Sequence, residues 1–128
     1  MEIIGNGVDI IQNSRIKKLI KNPKFLSRIF SEDEINESKK IKNKTNFFAK
    51  RFSAKEAFAK SLGTGFRYDL NMKDIEILNN KEGRPYYKKS KKINDMVYRR
   101  FKIRNYNLFL SISDEKDYSI AFTILETK

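Results

Sequence analysis

The 128-residue sequence contains no cysteine and no histidine, and each absence excludes a class of chemistry. Without cysteine, neither a disulfide framework nor a thiolate metal site can form. Without histidine, the protein lacks the side chain that most often serves as a general base and as a metal ligand. Any acid–base or metal chemistry must therefore depend on carboxylates, lysines, hydroxyl groups or bound water.

Long apolar runs are also missing from the sequence. No segment approaches the ~20 apolar residues that a membrane-spanning helix requires. The first residues, MEIIGNGVDIIQ, are apolar but have neither a basic leader nor a cleavage-like site, so they indicate a strand rather than a signal peptide. The length is typical of one domain, spanning residues 1–128. We therefore expect a soluble cytoplasmic protein that does not bind membranes.

Positive charge is the most prominent feature of the composition. Lysine and arginine number 28 against 16 acidic residues, which gives a formal net charge of +12. Such an excess favours a negatively charged partner, which is a nucleic acid, an anionic membrane, a phosphorylated small molecule or an acidic protein. Many of the lysines stand among asparagines and isoleucines, a composition that a biased genome produces without any partner.

The predicted elements follow the order β–α–α–α–β–β–α–β–β, which is typical of an α+β fold with an antiparallel sheet packed on a long central helix. Asn13 or Ser14 is placed to cap the first helix, and Pro23 is expected to end it. Ser31 and Glu34 have the spacing of a capping box. The predicted strands lie within 2–11, 72–80, 81–89, 108–113 and 118–124, and the predicted helices cover 15–21, 31–40, 46–62 and 90–101.

The predicted central helix carries charge where apolar residues are expected. At ~100° per residue, Arg51 and Lys55 fall inside an arc of phenylalanine, alanine and leucine side chains. Burying an unpaired charge is costly, so both cations need partners. We therefore expect this face to meet a second surface or a polar ligand. The opposite side is predicted to carry Lys50, Ser53, Ala57, Lys60 and Ser61.

Two acidic residues stand in largely apolar surroundings. Asp9 lies in the strand GVDII, and Glu56 lies at the border of the apolar arc of the central helix. Two carboxylates that converge, with the remaining positions filled by water and phosphate oxygens, form a magnesium site. The sequence alone leaves open whether they converge. Asp9 near a strand end could instead accept hydrogen bonds from nearby backbone N–H groups. Glu56 and Lys60 likewise have the spacing of an ordinary surface pair.

Two glycine-containing segments allow either a structural or a phosphate-binding role. Gly63-Thr64-Gly65 follows the central helix, so it is either a helix stop or a loop whose backbone N–H groups hold phosphate oxygens. Its glycine spacing differs from that of a P-loop. The stretch GRPYY is either a turn or a place where Arg84 and Pro85 line a nucleotide site.

Taken together, these segments resemble the holo-[acyl-carrier-protein] synthases, the small bacterial 4′-phosphopantetheinyl transferases. The resemblance covers nearly the whole chain in the right order, and GVDI together with RFSAKEAFAKSLGTG is its most specific part. The matching motifs are GVDI (7–10), RIFSEDEI (28–35), FFAKRFSAKEAFAKSLGTG (47–65), GRP (83–85) and LSISDEKDYSIAFTILE (110–126).

The resemblance implies an enzyme with the 4′-phosphopantetheinyl transferase fold. Such an enzyme moves the phosphopantetheine arm of coenzyme A onto a serine of apo acyl carrier protein, releases adenosine 3′,5′-bisphosphate and supports fatty acid biosynthesis. It requires Mg²⁺, which Asp9 and Glu56 would hold against the pyrophosphate, while Lys60 would contact that pyrophosphate. The family forms trimers with active sites between subunits. The residues expected to contact coenzyme A are Arg51, Lys60, Gly63, Thr64, Gly65, Arg84 and Pro85.

The same resemblance implies a docking surface for the acidic carrier protein. The chain also departs from the family pattern at one position. The family often has a histidine after SIS, where this chain has Asp114, so the role of that histidine does not transfer. Asp114 is instead placed to open the DEKD turn. The general base is left open between Glu56 and a water beside the metal. The expected docking residues are Arg15, Lys18, Lys21 and Arg28.

Two other functions compete with the transferase. A basic RNA- or DNA-binding module would explain the net charge, but it lacks an aromatic strand motif and leaves Asp9 and Glu56 without a role. A catalytically inactive scaffold that binds acyl carrier protein would not need Asp9, Glu56 and Lys60. We therefore expect no nucleic acid among the partners.

Overall fold

The computed structural model describes residues 1–63 and 70–128, and its elements confirm the predicted α+β class. Thr64 and Gly65 lie outside the described residues. None of the helices in the described part combines the length and apolar character that a membrane span requires. The elements are β1 (Ile3–Gln12), α1 (Asn13–Leu19), α2 (Pro23–Ile29), α3 (Glu32–Ser38), α4 (Lys44–Ser61), a 3₁₀ turn (Met72–Asp74), β2 (Ile77–Asn79), β3 (Pro85–Tyr87), α5 (Lys91–Phe101), β4 (Tyr106–Asp114) and β5 (Tyr118–Thr127).

The strands form two antiparallel sheets. The larger sheet has the order β1-β5-β4, so the C-terminal hairpin places β5 in the centre, between β4 and the N-terminal strand. The smaller sheet pairs only β2 with β3. Helix α4 packs against β1 and β5 of the larger sheet. This arrangement brings the first strand of the chain against the long helix in its middle.

Helix α2 was not predicted, because Pro23 was interpreted only as the end of the first helix. Helix α1 ends at Leu19, and Pro23 begins α2 instead. The side chain of Asn22 caps the new helix by accepting a hydrogen bond of 2.9 Å from the backbone N–H of Lys24. Proline suits the first position of a helix, since its fixed φ is helical and its missing N–H would have no partner there.

The predicted cap of α1 is also wrong. Gln12 occupies the N-cap position and makes no side-chain cap, and helix α1 already includes Asn13 and Ser14. The amide of Asn13 donates instead to the carbonyl oxygens of Glu115 and Lys116, at 3.0 Å each. Asn13 therefore ties the start of α1 to the β4–β5 turn, a long-range contact that competes with the local cap.

Helix α4 is buried on most of its circumference. Its N-terminal half contributes Phe47 and Phe48 to one apolar cluster, together with Phe30. Its C-terminal half contributes Phe58 to a second cluster, together with Tyr106. The side opposite the predicted apolar arc is also largely covered, since Ser53, Ala57 and Ser61 are buried.

Glycines in β1 explain why the small residues of α4 are buried. A Cβ atom added at Gly7 would lie 2.0 Å from the carbonyl oxygen of Ala57, and one added at Gly5 would lie 2.0 Å from that of Ser61. Only glycine leaves room for the helix backbone to approach the strand this closely. The contact fixes the register of Asp9 against α4.

We predict that Gly7→Ala destabilises the fold by about 1–3 kcal/mol or more, because the added methyl group has no space against a rigid backbone carbonyl. Urea denaturation followed by circular dichroism measures the change in the free energy of unfolding. Asn6→Ala, in the exposed neighbouring position of the same strand, is the control and should change it little. Equal stability of the two variants would contradict the close contact.

Candidate active site

The carboxylate of Asp9 faces α4 and pairs with Lys60. Asp9 lies opposite Ala121 of β5, in the part of β1 that packs on the helix. The Lys60 ammonium lies 3.2 Å from Asp9 Oδ1 and donates to the carbonyl oxygen of Val8 at 3.0 Å. The second oxygen of Asp9, Oδ2, is buried and has no hydrogen-bond partner among the described residues.

Glu56 lies one turn before Lys60 on α4 and faces the same place. Burial raises the pKa of Glu56, and the nearby charge of Asp9 raises it further. Burial also raises the pKa of Asp9, although its hydrogen bond to Lys60 and the charges of Lys60 and Arg15 oppose this effect. The structure therefore brings Asp9, Glu56 and Lys60 together.

These residues fit a divalent cation. Asp9 has a buried carboxylate oxygen without a hydrogen-bond partner in the described part of the chain, and burial raises the pKa of both carboxyl groups, so an added cation would stabilise their ionised forms. Mg²⁺ prefers oxygen ligands and is usually held by one or two carboxylates together with waters and substrate phosphates. In residues 1–63 and 70–128, no group of three or more metal-ligating side chains exists that would enclose a metal by itself. Asp9 and Glu56 thus suit an ion that is shared with a phosphate.

Arg51 lies away from this group. It precedes Lys60 by nine residues, which places it ~180° around the helix. Its Nη2 atom donates to Asn79 Oδ1 at 2.8 Å, and its guanidinium lies 3.8 Å from the centre of the Phe47 ring. Burial lowers its pKa, which the charge of Glu34 opposes.

The residues near Arg51 line a cavity of their own. Its volume is about 400 Å³, and Arg51, Asn79, Gly83, Pro85 and Asp114 contribute to the wall. Two residues predicted to contact coenzyme A, Arg51 and Pro85, therefore share one cavity, while Lys60 lies with Asp9. Arg84 is exposed to solvent, and Gly63 has φ of +75° at the end of α4, where it serves as the helix stop.

Lys55 does not face a ligand, so the expectation that this part of the helix meets a second surface or a polar ligand is wrong for Lys55. Its ammonium is completely buried and donates to Glu34 Oε1 at 2.7 Å, to the Met72 carbonyl at 3.0 Å and to the Ile75 carbonyl at 2.6 Å. These three acceptors use all three of its N–H groups. Lys55 instead joins α4 to α3 and to the segment before β2.

Glu34 has a larger role than the sequence indicated. Its predicted capping box with Ser31 is present. In addition, its Oε1 accepts from Lys55, and its Oε2 accepts from the backbone N–H of Ile77 at 3.3 Å and lies 3.9 Å from Arg51 Nε. The sequence did contain a signal for this pairing. Two cations, Arg51 and Lys55, stand in an apolar arc, and one carboxylate, Glu34, follows the apolar Phe30.

The expected docking residues all lie on the surface of the first two helices and the turn between them. Arg15 is the one whose charge acts on Asp9, so it lies beside the candidate site. Asp114, at the end of β4, accepts a hydrogen bond of 2.6 Å from the side chain of Asn46. The four expected docking residues, all exposed, are Arg15, Lys18, Lys21 and Arg28.

Comparison with known proteins assigns the chain to a family. Residues 5–123 match the model of the 4′-phosphopantetheinyl transferase superfamily. The chain belongs to this superfamily. Its relatives include the holo-[acyl-carrier-protein] synthase of Pelagibacter ubique, 55% identical over 128 residues that cover 100% of both chains. The enzyme of the same name from Ehrlichia chaffeensis is 46% identical over 131 residues, which cover 98% of each.

Solved structures of superfamily members have the same fold. The holo-(acyl-carrier-protein) synthase of Bacillus anthracis, in complex with CoA (3′,5′-ADP), is 35% identical with a TM-score of 0.82 and covers 100% of both chains. The Neisseria meningitidis structure is 35% identical with a TM-score of 0.87 and covers 98% of this chain and 99% of its own. The Helicobacter pylori enzyme, in complex with coenzyme A, is 32% identical with a TM-score of 0.79, covering 94% and 99%.

We predict that Lys55→Met lowers the free energy of unfolding by about 3–5 kcal/mol, because it leaves the Glu34 charge buried without its partner. The double variant Glu34→Gln, Lys55→Met should regain much of this loss, since neither side chain is then charged. Urea denaturation of the unmodified protein and of both variants measures both effects. As a matched control, Lys40→Met breaks an exposed pair with Glu37 and should cost at most about 1 kcal/mol. A similarly small effect of Lys55→Met would contradict the buried pair.

We predict that Glu56→Gln raises the melting temperature of the metal-free protein above pH 7, by roughly 1–4 °C. A carboxyl whose folded-state pKa is raised stabilises the fold below its ordinary pKa of 4.5 and loses that contribution as the pH rises through the folded value. The advantage of glutamine should therefore disappear near pH 4. Thermal melts in EDTA across this range measure it, and a variant that is less stable at high pH would show that ionised Glu56 is favoured.

Proposed function

We propose that this protein transfers the 4′-phosphopantetheine arm of coenzyme A to a serine of apo acyl carrier protein and releases adenosine 3′,5′-bisphosphate. Relatives with 46–55% identity are named for this activity, and similar structures contain coenzyme A. The observation that carries the proposal is the convergence of Asp9, Glu56 and Lys60 at the contact of β1 with α4. A role in fatty acid biosynthesis and a cytoplasmic location follow from the same proposal.

The reaction demands stabilisation of negative charge at a pyrophosphate. The serine oxygen forms a bond to the phosphorus that carries the pantetheine arm, and the bond from that phosphorus to the bridging oxygen breaks. The negative charge develops on adenosine 3′,5′-bisphosphate, so positioned cations lower the barrier. Mg²⁺, held by Asp9 and Glu56, would supply part of this charge when bound. Lys60 would contact the same phosphate oxygens, since its side chain is 52% exposed and able to reorient.

The proton of the attacking serine needs an acceptor in the site. Glu56 has a pKa raised above its ordinary value, so it is a stronger base than an exposed glutamate. A water that a carboxylate orients would serve equally well. Both routes require an ionised carboxylate, and the pKa values of both Glu56 and Asp9 are raised, so transfer should decline as the pH falls through these raised values.

A homotrimer would complete the site. Two sides of α4 carry the predicted site residues: Asp9, Glu56 and Lys60 lie on one, and the cavity of Arg51 and Pro85 lies on another. One coenzyme A molecule would therefore contact the first group in one copy and the cavity in a neighbouring copy. The outer face of the larger sheet supports such an assembly, because it exposes apolar side chains that a monomer seldom leaves uncovered. The exposed apolar residues on β1, β4 and β5 include Val8, Ile10, Phe109, Ile120 and Phe122.

The acidic carrier protein would dock on the basic surface of α1 and α2. Arg15 connects this surface with the site, since its charge acts on the Asp9 carboxylate. A carrier that contacts Arg15 would present its serine near the pyrophosphate. Lys18, Lys21 and Arg28 would contribute mainly to the long-range attraction between the two proteins.

The proposal predicts transfer in a defined mixture. Purified protein, coenzyme A, Mg²⁺ and an apo acyl carrier protein should yield carrier with the added arm, detected by intact mass. Asp9→Ala and Glu56→Ala should each reduce the rate by about 100-fold or more, because each removes a group that holds the cation. Asp95→Ala, in an exposed position of α5, is the control and should transfer normally. Absence of transfer to any carrier, together with salt-sensitive RNA binding, would favour the nucleic-acid-binding alternative.

A further inference from the structure

Lys60 lies directly against one of the two carboxylates that would hold a divalent cation. The Lys60 ammonium is 3.2 Å from Asp9 Oδ1 and is held by a second bond, of 3.0 Å, to the Val8 carbonyl. The other oxygen of this carboxylate, Oδ2, is buried and has no hydrogen-bond partner in residues 1–63 and 70–128. The carboxylate that would bind a divalent ion is thus already half satisfied by a side chain of the same chain.

The two partners of this pair differ in their freedom to move. The Asp9 side chain is 13% exposed and sits on a strand whose register is fixed by the glycine contact with α4. The Lys60 side chain is 52% exposed, on a flexible four-carbon stem. If the pair opens, it is therefore Lys60 that moves and Asp9 that stays.

We propose that Lys60 holds the Asp9 carboxylate until the diphosphate of the donor draws it away, so that divalent-cation binding and donor binding are coupled through this lysine. This inference rests on the proposed function, since it assigns the diphosphate to the same site. Lys60 then has two successive partners, the carboxylate before the donor arrives and a phosphate oxygen afterwards.

The direction of the coupling follows from charge. Before the donor binds, Lys60 competes with the ion for Asp9 and also repels it, so the metal affinity is reduced. The diphosphate attracts both cations, and each then has its own oxygen ligands. Coupling of this kind is reciprocal, so the ion strengthens donor binding by the same factor by which the donor strengthens ion binding.

Binding of Mn²⁺ without any donor tests the inference directly. Electron paramagnetic resonance measures free Mn²⁺ during titration of the unmodified protein, of Lys60→Met and of Lys40→Met. We expect Lys60→Met to bind Mn²⁺ roughly three- to tenfold more tightly than the unmodified protein, since an exposed ion pair and one repulsive charge are removed. Lys40→Met makes the same change in net charge and breaks an exposed pair with Glu37, so its Mn²⁺ affinity should not change.

A second titration in the presence of coenzyme A measures the coupling. Coenzyme A should tighten Mn²⁺ binding in both proteins, but by a smaller factor in Lys60→Met. Equal or weaker Mn²⁺ binding by Lys60→Met without coenzyme A would overturn the inference, as would an unchanged coupling factor. The transfer assay with the unmodified protein separates the two proposals. If the unmodified protein transfers the arm but the Mn²⁺ titrations contradict the inference, only the role of Lys60 is overturned. If the unmodified protein does not transfer the arm and the Asp9→Asn substitution does not weaken Mn²⁺ binding, the proposed function itself is overturned.

Discussion

The contact between β1 and α4 is the constraint on which the rest of the structure depends. Gly5 and Gly7 let the strand lie against the backbone of the helix at the carbonyl groups of Ser61 and Ala57. A strand at the N-terminus and a helix in the middle of the chain are thereby held in one register. The side chain of Asp9, two residues beyond Gly7, consequently faces the turn of α4 that carries the other charged groups of the site.

The protein treats its two groups of buried charge in opposite ways. Lys55 and Glu34 are paired completely, with each ammonium N–H group donating to an acceptor, so they join helices and stabilise the fold. Among the described residues, the charges of Lys60 and Arg15 act on Asp9 and that of Lys60 on Glu56, yet burial still raises the pKa of both carboxyl groups. Carboxylates that are not fully paired lower the stability of the fold. They also attract an added cation, which a pyrophosphate-cleaving site requires.

Sequence analysis predicted the features that depend on local pattern and motif. The α+β class and the family are confirmed. Asp9, Glu56 and Lys60 lie together, whereas Arg51 lies on another side of α4, and the individual roles of these residues remain predictions. Analysis failed where distant contacts override local signals. Pro23 begins a helix because Asn22 caps it. The Asn13 side chain bonds to the β4–β5 turn instead of capping α1. Lys55 pairs with Glu34 across the contact between α4 and α3. Periodicity placed Ser53 opposite the apolar arc but did not predict its burial, because it contains no information about glycines on an opposing strand.

The central claim is that Asp9 and Glu56 hold one divalent ion together. A crystal of the protein grown with Mn²⁺ and coenzyme A, measured at the manganese absorption edge, locates the ion by its anomalous signal. The account predicts one peak per site, within about 2.0–2.3 Å of a carboxylate oxygen of each residue and in contact with a phosphate oxygen. A peak that contacts only one of the two carboxylates, or an ion bound elsewhere with both carboxylates unoccupied, would contradict it.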